Sequence, residues 1–139
     1  IEEFESSVIK SSICSDATLE SIRECLHDVV WNDTLGTASV NPWGTRKAQS
    51  DLVAIAGKTG TAQILEKGYS NRRHRMSFVG YFPEENPQYT CICVIHGPQW
   101  PYDAGMDCGS VVRHIAEKTM AYAGEYVIKN GELVMVVKE

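Results

Sequence analysis

The segment Ala56-Gly57-Lys58-Thr59-Gly60-Thr61-Ala62-Gln63 lies near the middle of the 139-residue chain and admits two folds. Gly57-Lys58-Thr59 could close a phosphate-binding loop of the form GxxxxGK[ST] ahead of a helix, or it could run inside a β-strand. The loop needs a glycine where Leu52 stands. After Thr59 the chain continues Gly60-Thr61-Ala62-Gln63 and reaches Gly68 with no helical pattern whose N-terminus could hold a phosphate. The strand reading remains, within an apolar stretch from Leu52 to Ile64.

Two stronger strands follow. Met76 to Phe82 and Tyr89 to His96 are β-branched and aromatic, joined by Pro83-Glu84-Glu85-Asn86-Pro87-Gln88, a connector of the length and composition of a long hairpin loop. Three sequential strands predict an antiparallel meander. Cys91 and Cys93, two apart in the third strand, fall on one face and read as small core residues.

Before the meander, Ser15 or Asp16 can cap a helix whose apolar positions Leu19, Ile22, Leu26, Val29 and Val30 follow helical spacing, ending near Trp31 to Asp33. Residues 1 to 14 mix acidic and β-branched residues and are expected to form an extended lead-in strand. Thr34 to Ser50 is rich in Gly, Thr, Asn and Pro and reads as a surface loop, where function often sits. After the meander, Gly97 to Gly109 reads as a second loop. Val111, Val112, Ile115, Ala116 and Met120 then recur at helical spacing. Tyr126 to Ile128 and Leu133 to Val137 flank Lys129-Asn130-Gly131-Glu132, and Asn-Gly between β-rich runs signals a tight hairpin because a type I′ turn needs positive φ twice. The fold class expected is α+β, an antiparallel meander packed with helices.

Composition narrows the function. A formal net charge of -5 argues against a nucleic-acid surface, and the one basic cluster, Arg72, Arg73, His74 and Arg75, reads as a solvated loop before a strand. With 43% hydrophobic and 22% charged residues the chain has globular composition. No apolar run is long enough to span a membrane, and Ile1-Glu2-Glu3-Phe4-Glu5 has no signal-peptide character, so an export signal or anchor is expected outside this chain. Five cysteines with no CxxC pair indicate neither a zinc site nor a complete disulfide framework, and no metal or other cofactor is expected.

Several segments together carry a family resemblance. Ala56 to Gln63, then Ser77-Phe78-Val79-Gly80-Tyr81-Phe82-Pro83, then Asn86-Pro87-Gln88-Tyr89 resemble, in order and spacing, segments of the class B penicillin-binding proteins. Val29-Val30 followed by Gly36-Thr37-Ala38, and the final helix entered through Cys108-Gly109-Ser110-Val111, resemble the family too. The likeness runs over residues 13 to 122. Departures sit where the last helix begins: Cys108 precedes Gly109 where a second glycine is common, and Val112 stands where proline is common.

This resemblance implies a partial transpeptidase fold of the penicillin-binding and serine β-lactamase type, with residues 1–122 as the C-terminal portion of the domain and 123–139 as a tail carrying the hairpin. It implies a D,D-transpeptidase that cross-links peptidoglycan during cell-wall synthesis and division, at the periplasmic face of an inner membrane to which the longer protein is anchored. Its expected partners are the peptidoglycan stem peptide and β-lactams, with cell-division proteins as further candidates. In such a site Lys58 places a fixed positive charge beside the substrate carboxylate, Thr59 offers it a hydroxyl, Gly60 lets a substrate peptide approach along the strand, and the Thr61 backbone N–H faces the developing oxyanion, where one preorganised donor is worth roughly 3 kcal/mol.

The family also needs Ser-x-x-Lys opening a helix and Ser-x-Asn, both upstream of Lys-Thr-Gly. Ser7-Val8-Ile9-Lys10 and Ser39-Val40-Asn41 match in order, but a chain of this composition supplies about half a Ser-x-x-Lys and about 0.4 of a Ser-x-Asn by chance. Ser7 also lies in a β-branched, serine-rich stretch of poor helix propensity. No nucleophile is therefore expected in this chain, and His27, His74, His96 and His114 read as surface or helix-face residues. The other readings are a non-catalytic module that binds wall peptide or a division partner, and a related carboxypeptidase or β-lactamase. Apolar sheet faces left uncovered would favour self-association of the isolated chain.

Overall fold

A computed structural model describes residues 8–64, 73–98, 103–123, 126–129 and 132–135. Helix α1 runs Asp16–Trp31, strands β1, β2 and β3 run Ala56–Ile64, Arg73–Phe82 and Tyr89–His96, and helix α2 runs Ser110–Tyr122. A short pair, β4 (Tyr126–Lys129) and β5 (Glu132–Met135), closes the described chain. The fold is α+β.

The meander forms as its sequence predicts, in the order β1-β2-β3 with both pairings antiparallel. Register places Thr59 opposite Phe78 and Thr61 opposite Met76, and Phe78 in turn opposite Cys93. Directly opposed side chains share a face. One face therefore carries Thr59, Thr61, Met76, Phe78, Cys93 and Ile95. Met76 and Phe78 are fully buried there, with Cys91, Cys93 and Ile95 packed half-buried against the same core. The other face carries Val79, Ile92 and Val94, which stay substantially exposed.

Helix α1 begins where capping chemistry directs. Ser15 accepts the Thr18 N–H at 3.2 Å, satisfying one of the otherwise orphaned first-turn donors. Its predicted apolar face is only partly used: Val30 is fully buried, Leu26 and Val29 are half-buried, and Leu19 and Ile22 are exposed. The helix meets the sheet through its last turns, where the Trp31 indole donates to the Ile55 carbonyl at 3.0 Å and His27 pairs with Glu84 at 2.8 Å.

Helix α2 differs in a similar way. Val112, Ala116 and Met120 are buried at four-residue intervals, whereas Val111 and Ile115 are exposed. It is preceded by a π-helical turn, Gly105–Gly109, in the region expected to be a loop. Close packing explains the turn: a Cβ on Gly105 would overlap the Thr37 carbonyl oxygen, and one on Gly109 would stand 3.2 Å from Ala48 Cβ.

Three further expectations are corrected. No strand forms over 8–14, where Val8, Ile9 and Ile13 are exposed with no neighbouring strand to pair, and residues 1–7 lie outside the described residues. Arg73, His74 and Arg75 belong to β2 rather than to the loop before it, because β1 extends far enough to pair with them. The last pair forms with Lys129 opposite Glu132, so both residues expected in the connecting turn belong to the strands, while Asn130, Gly131 and residues 136–139 lie outside the described residues.

Candidate functional site

Strand β1 is the outer strand of the meander among the described residues, so its edge away from β2 is open. Along it Lys58, Thr59, Gly60 and Thr61 occupy consecutive positions and alternate between faces. Thr59 and Thr61 turn to the same side and line a cavity of about 230 Å³ together with Thr37, Asp103, Ala104 and Gly105. Thr59 Oγ1 lies 2.8 Å from Thr37 Oγ1. The Lys58 ammonium folds back along the strand and donates to the Thr59 carbonyl at 2.9 Å and to Thr59 Oγ1 at 3.3 Å.

Gly60 sits on the opposite side of the strand. A Cβ there would stand 2.6 Å from Ser77 Oγ on β2, so the steric constraint on Gly60 is the neighbouring strand. Gly57 is held more tightly. A Cβ on it would overlap the Val79 carbonyl and stand 2.7 Å from Phe78 Cζ, a backbone contact that cannot give way.

The wall of the cavity opposite β1 rests on a buried lysine. Lys47, 9% exposed, donates to the Thr37 carbonyl at 3.2 Å and pairs with Asp103 at 2.7 Å. Burial would raise the Asp103 pKa, but the Lys47 hydrogen bond, backbone N–H groups of Met106 and Gly105, and the Lys47 charge together hold it below the ordinary carboxylate value. Asp103 is therefore ionised at neutral pH and pairs with Lys47, whereas the Lys58 ammonium on β1 stands exposed. None of Thr37, Lys47, Asp103 and Gly105 was singled out as a site residue in the sequence. Thr37 and Lys47 lie in the Thr34 to Ser50 loop expected to be a place for function, and Thr37 also belonged to the Gly36-Thr37-Ala38 segment of the family resemblance. Asp103 had no such signal.

The Ser39-Val40-Asn41 pattern lies in a structural turn and does not line this cavity. Ser39 is fully buried with its hydroxyl donating to the Gly36 carbonyl at 3.2 Å, and Asn41 Oδ1 accepts the N–H groups of Trp43 and Thr45 at 3.0 and 2.8 Å. Ser7 lies outside the described residues. Among the described residues no group of three or more His, Cys, Asp or Glu is placed to hold a metal, and no helix is long and apolar enough to cross a membrane.

Residues 2–121 match the penicillin binding protein transpeptidase domain. The chain belongs to the penicillin-binding protein transpeptidase family. Similar proteins include the peptidoglycan D,D-transpeptidase FtsI homologs of Mesostigma viride, 36% identical over 113 residues, and Chlorokybus atmophyticus, 33% identical over 108 residues. These alignments cover 79% and 76% of this chain but only 17% and 14% of those proteins. The transpeptidase domain of the FtsI4 D,D-transpeptidase from Legionella pneumophila superposes with a TM-score of 0.60 at 28% identity, covering 79% of this chain and 38% of that one. The resemblance to class B penicillin-binding proteins and the partial transpeptidase fold are both upheld.

Proposed function

We propose that this chain supplies the carboxylate-binding and oxyanion side of the active site of a serine-type D,D-transpeptidase that cross-links peptidoglycan stem peptides, in the manner of the cell-division enzymes. One observation carries the reading: Thr59 and Thr61 turn into one cavity on an open-edged strand, with the Lys58 ammonium hydrogen-bonded to Thr59. An extended peptide can pair with the open edge through main-chain hydrogen bonds. Its terminal carboxylate then meets Lys58 and the Thr59 hydroxyl, and its scissile carbonyl oxygen meets the Thr61 N–H.

The acylating serine and its general base lie elsewhere in the longer protein. That serine attacks the carbonyl of the D-Ala-D-Ala bond, D-Ala departs with a proton, and the ester passes its acyl group to the amine of a second peptide, regenerating the hydroxyl. Residues 1–122 are the C-terminal portion of this domain and 123–139 a tail. The protein acts on the extracytoplasmic face of the membrane, anchored by a segment outside this chain, and β-lactams occupy the same site.

Fluorescent penicillin tests this directly. The intact protein is expected to be labelled at a serine outside residues 1–139, Lys58→Ala to slow labelling, and the isolated chain to stay unlabelled. Covalent labelling of the isolated chain at Ser7 would overturn the account. Saturable binding of a D-Ala-D-Ala peptide to the isolated chain, abolished by Lys58→Ala, would instead make it a binding module.

A further inference from the structure

A threonine hydroxyl has one proton to give and two lone pairs to receive. Thr59 Oγ1 already receives a hydrogen bond from Lys58 Nζ at 3.3 Å and lies 2.8 Å from Thr37 Oγ1. Two directions are open for the second contact. If Thr59 donates to Thr37, its proton is spent within the protein. If Thr37 donates to Thr59, both lone pairs of Thr59 are filled and its proton is left for an anion in the cavity. An arriving carboxylate selects the second direction, because a hydroxyl donating to an ionised oxygen makes the stronger bond and each donor in such a chain polarises the next.

We propose that Thr37 is a positioning residue of this site, donating to Thr59 Oγ1 so that the Thr59 proton is presented to the substrate carboxylate. This role rests on the carboxylate-binding reading of Thr59 given above. Thr37 is well placed to act as a fixed donor because its carbonyl and the residues on both sides of it are held by hydrogen bonds. Gly36 N–H donates to the Asn32 carbonyl at 2.7 Å and Ala38 N–H to the Val29 carbonyl at 2.9 Å, tying the segment to the end of α1. Lys47 N–H donates to the Ser39 carbonyl at 2.7 Å and Ala48 N–H to the Ala38 carbonyl at 2.9 Å. The buried Lys47 ammonium holds the Thr37 carbonyl itself at 3.2 Å, and Gly105 packs against the same oxygen. The hydroxyl, by contrast, is on an exposed side chain facing the cavity.

The test compares acylation of the intact protein by benzylpenicillin with acylation by its methyl ester, which lacks the anion. Thr37→Val keeps the side-chain shape and, at an exposed position, leaves packing intact. It is expected to lower the acid-to-ester rate ratio about 3- to 10-fold, the worth of one neutral hydrogen bond. Thr59→Val should lower the ratio about 10-fold or more, as for a bond to a charged group, and adding Thr37→Val to it should change nothing further. Thr37→Ser should retain the wild-type ratio. A loss caused only by altered structure would slow both substrates equally and leave the ratio unchanged, and that result in Thr37→Val, with the ratio lowered in Thr59→Val, overturns the inference alone. An unchanged ratio in Thr59→Val overturns the reading of Thr59 and the inference with it.

Discussion

Lys47 and Asp103 meet at 2.7 Å beneath the cavity, and the same ammonium donates to the Thr37 carbonyl at 3.2 Å, so one buried charge joins two loops that are far apart in the chain. Each segment has backbone hydrogen bonds of its own, Lys47 N–H to the Ser39 carbonyl in one and Asp107 N–H to the Asp103 carbonyl in the other, but the Lys47 side chain is what links the two. The ion pair and the close approach of Gly105 to the Thr37 carbonyl hold residues 37 and 103–105 together on one side of the cavity.

Lys47→Met should therefore destabilise the protein by about 1–2 kcal/mol in urea denaturation; breaking a fully buried pair costs more, but the Asp103 side chain is 45% exposed and water screens it. The pH dependence should change as well. A carboxyl whose folded pKa lies below its unfolded value, about 3.9, contributes stability that is complete above that value and is lost as pH falls through the folded one. Acid unfolding curves should show a steeper loss of stability below about pH 4 in the wild type than in Lys47→Met. Parallel acid limbs would count against the pair.

Gly105→Ala should be more damaging than its size suggests. The new methyl group would overlap the Thr37 carbonyl and stand 3.0 Å from both Ala38 Cα and Lys47 Cδ, and two of those three neighbours are backbone. A cost of about 1–3 kcal/mol in thermal or urea unfolding is expected, with slower labelling by fluorescent penicillin in the intact protein. Wild-type stability in this variant would mean that the turn before α2 packs less closely than described.

Gly60→Ala offers a contrast. Its Cβ would meet only Ser77 Oγ at 2.6 Å, with Ser77 Cβ 3.9 Å away. Removing that hydroxyl should make room, so Ser77→Ala is expected to restore most of the roughly 1 kcal/mol lost in Gly60→Ala. Additive losses in the double variant would show that the constraint on Gly60 lies elsewhere.

Cysteine reactivity supplies a further check. Burial, reinforced by Cys93 alongside, pushes the Cys108 thiol up to about 12, whereas Cys25 is exposed on α1. Since the thiolate is the reactive form, iodoacetamide at pH 8 should modify Cys25 and spare Cys108 until denaturant is added. Mass spectrometry of the peptides distinguishes them, and early modification of Cys108 would mean that the core around α2 opens readily.

Much of the fold could be read from local pattern. The three strands of the meander, the Ser15 cap, both helices and the final pair of strands rest on side-chain period and turn chemistry, which act over a few residues. The register of Cys91 and Cys93 on the core face followed from strand alternation alone. Burial of the helices was less legible. Leu19, Ile22, Val111 and Ile115 sit at apolar helical spacing yet remain exposed, because spacing marks the side that could be buried and only a packed neighbour buries it.

Residues 56 to 63, with Leu52 before them and the run to Gly68 after, read as a strand, excluded the phosphate loop and, with the segments on either side, pointed to the transpeptidase family. Those conclusions needed only the order and identity of neighbouring residues. The surroundings of Thr59 required the tertiary fold. Thr37 lies 22 residues earlier in a loop without periodicity, Lys47 carries the charge of an ordinary surface residue, and Asp103 follows a Gly and Pro rich stretch. What unites them is an ion pair made by a buried lysine and a glycine pressed against a carbonyl, contacts that form only when the chain brings distant loops together and that leave no periodic trace in its sequence.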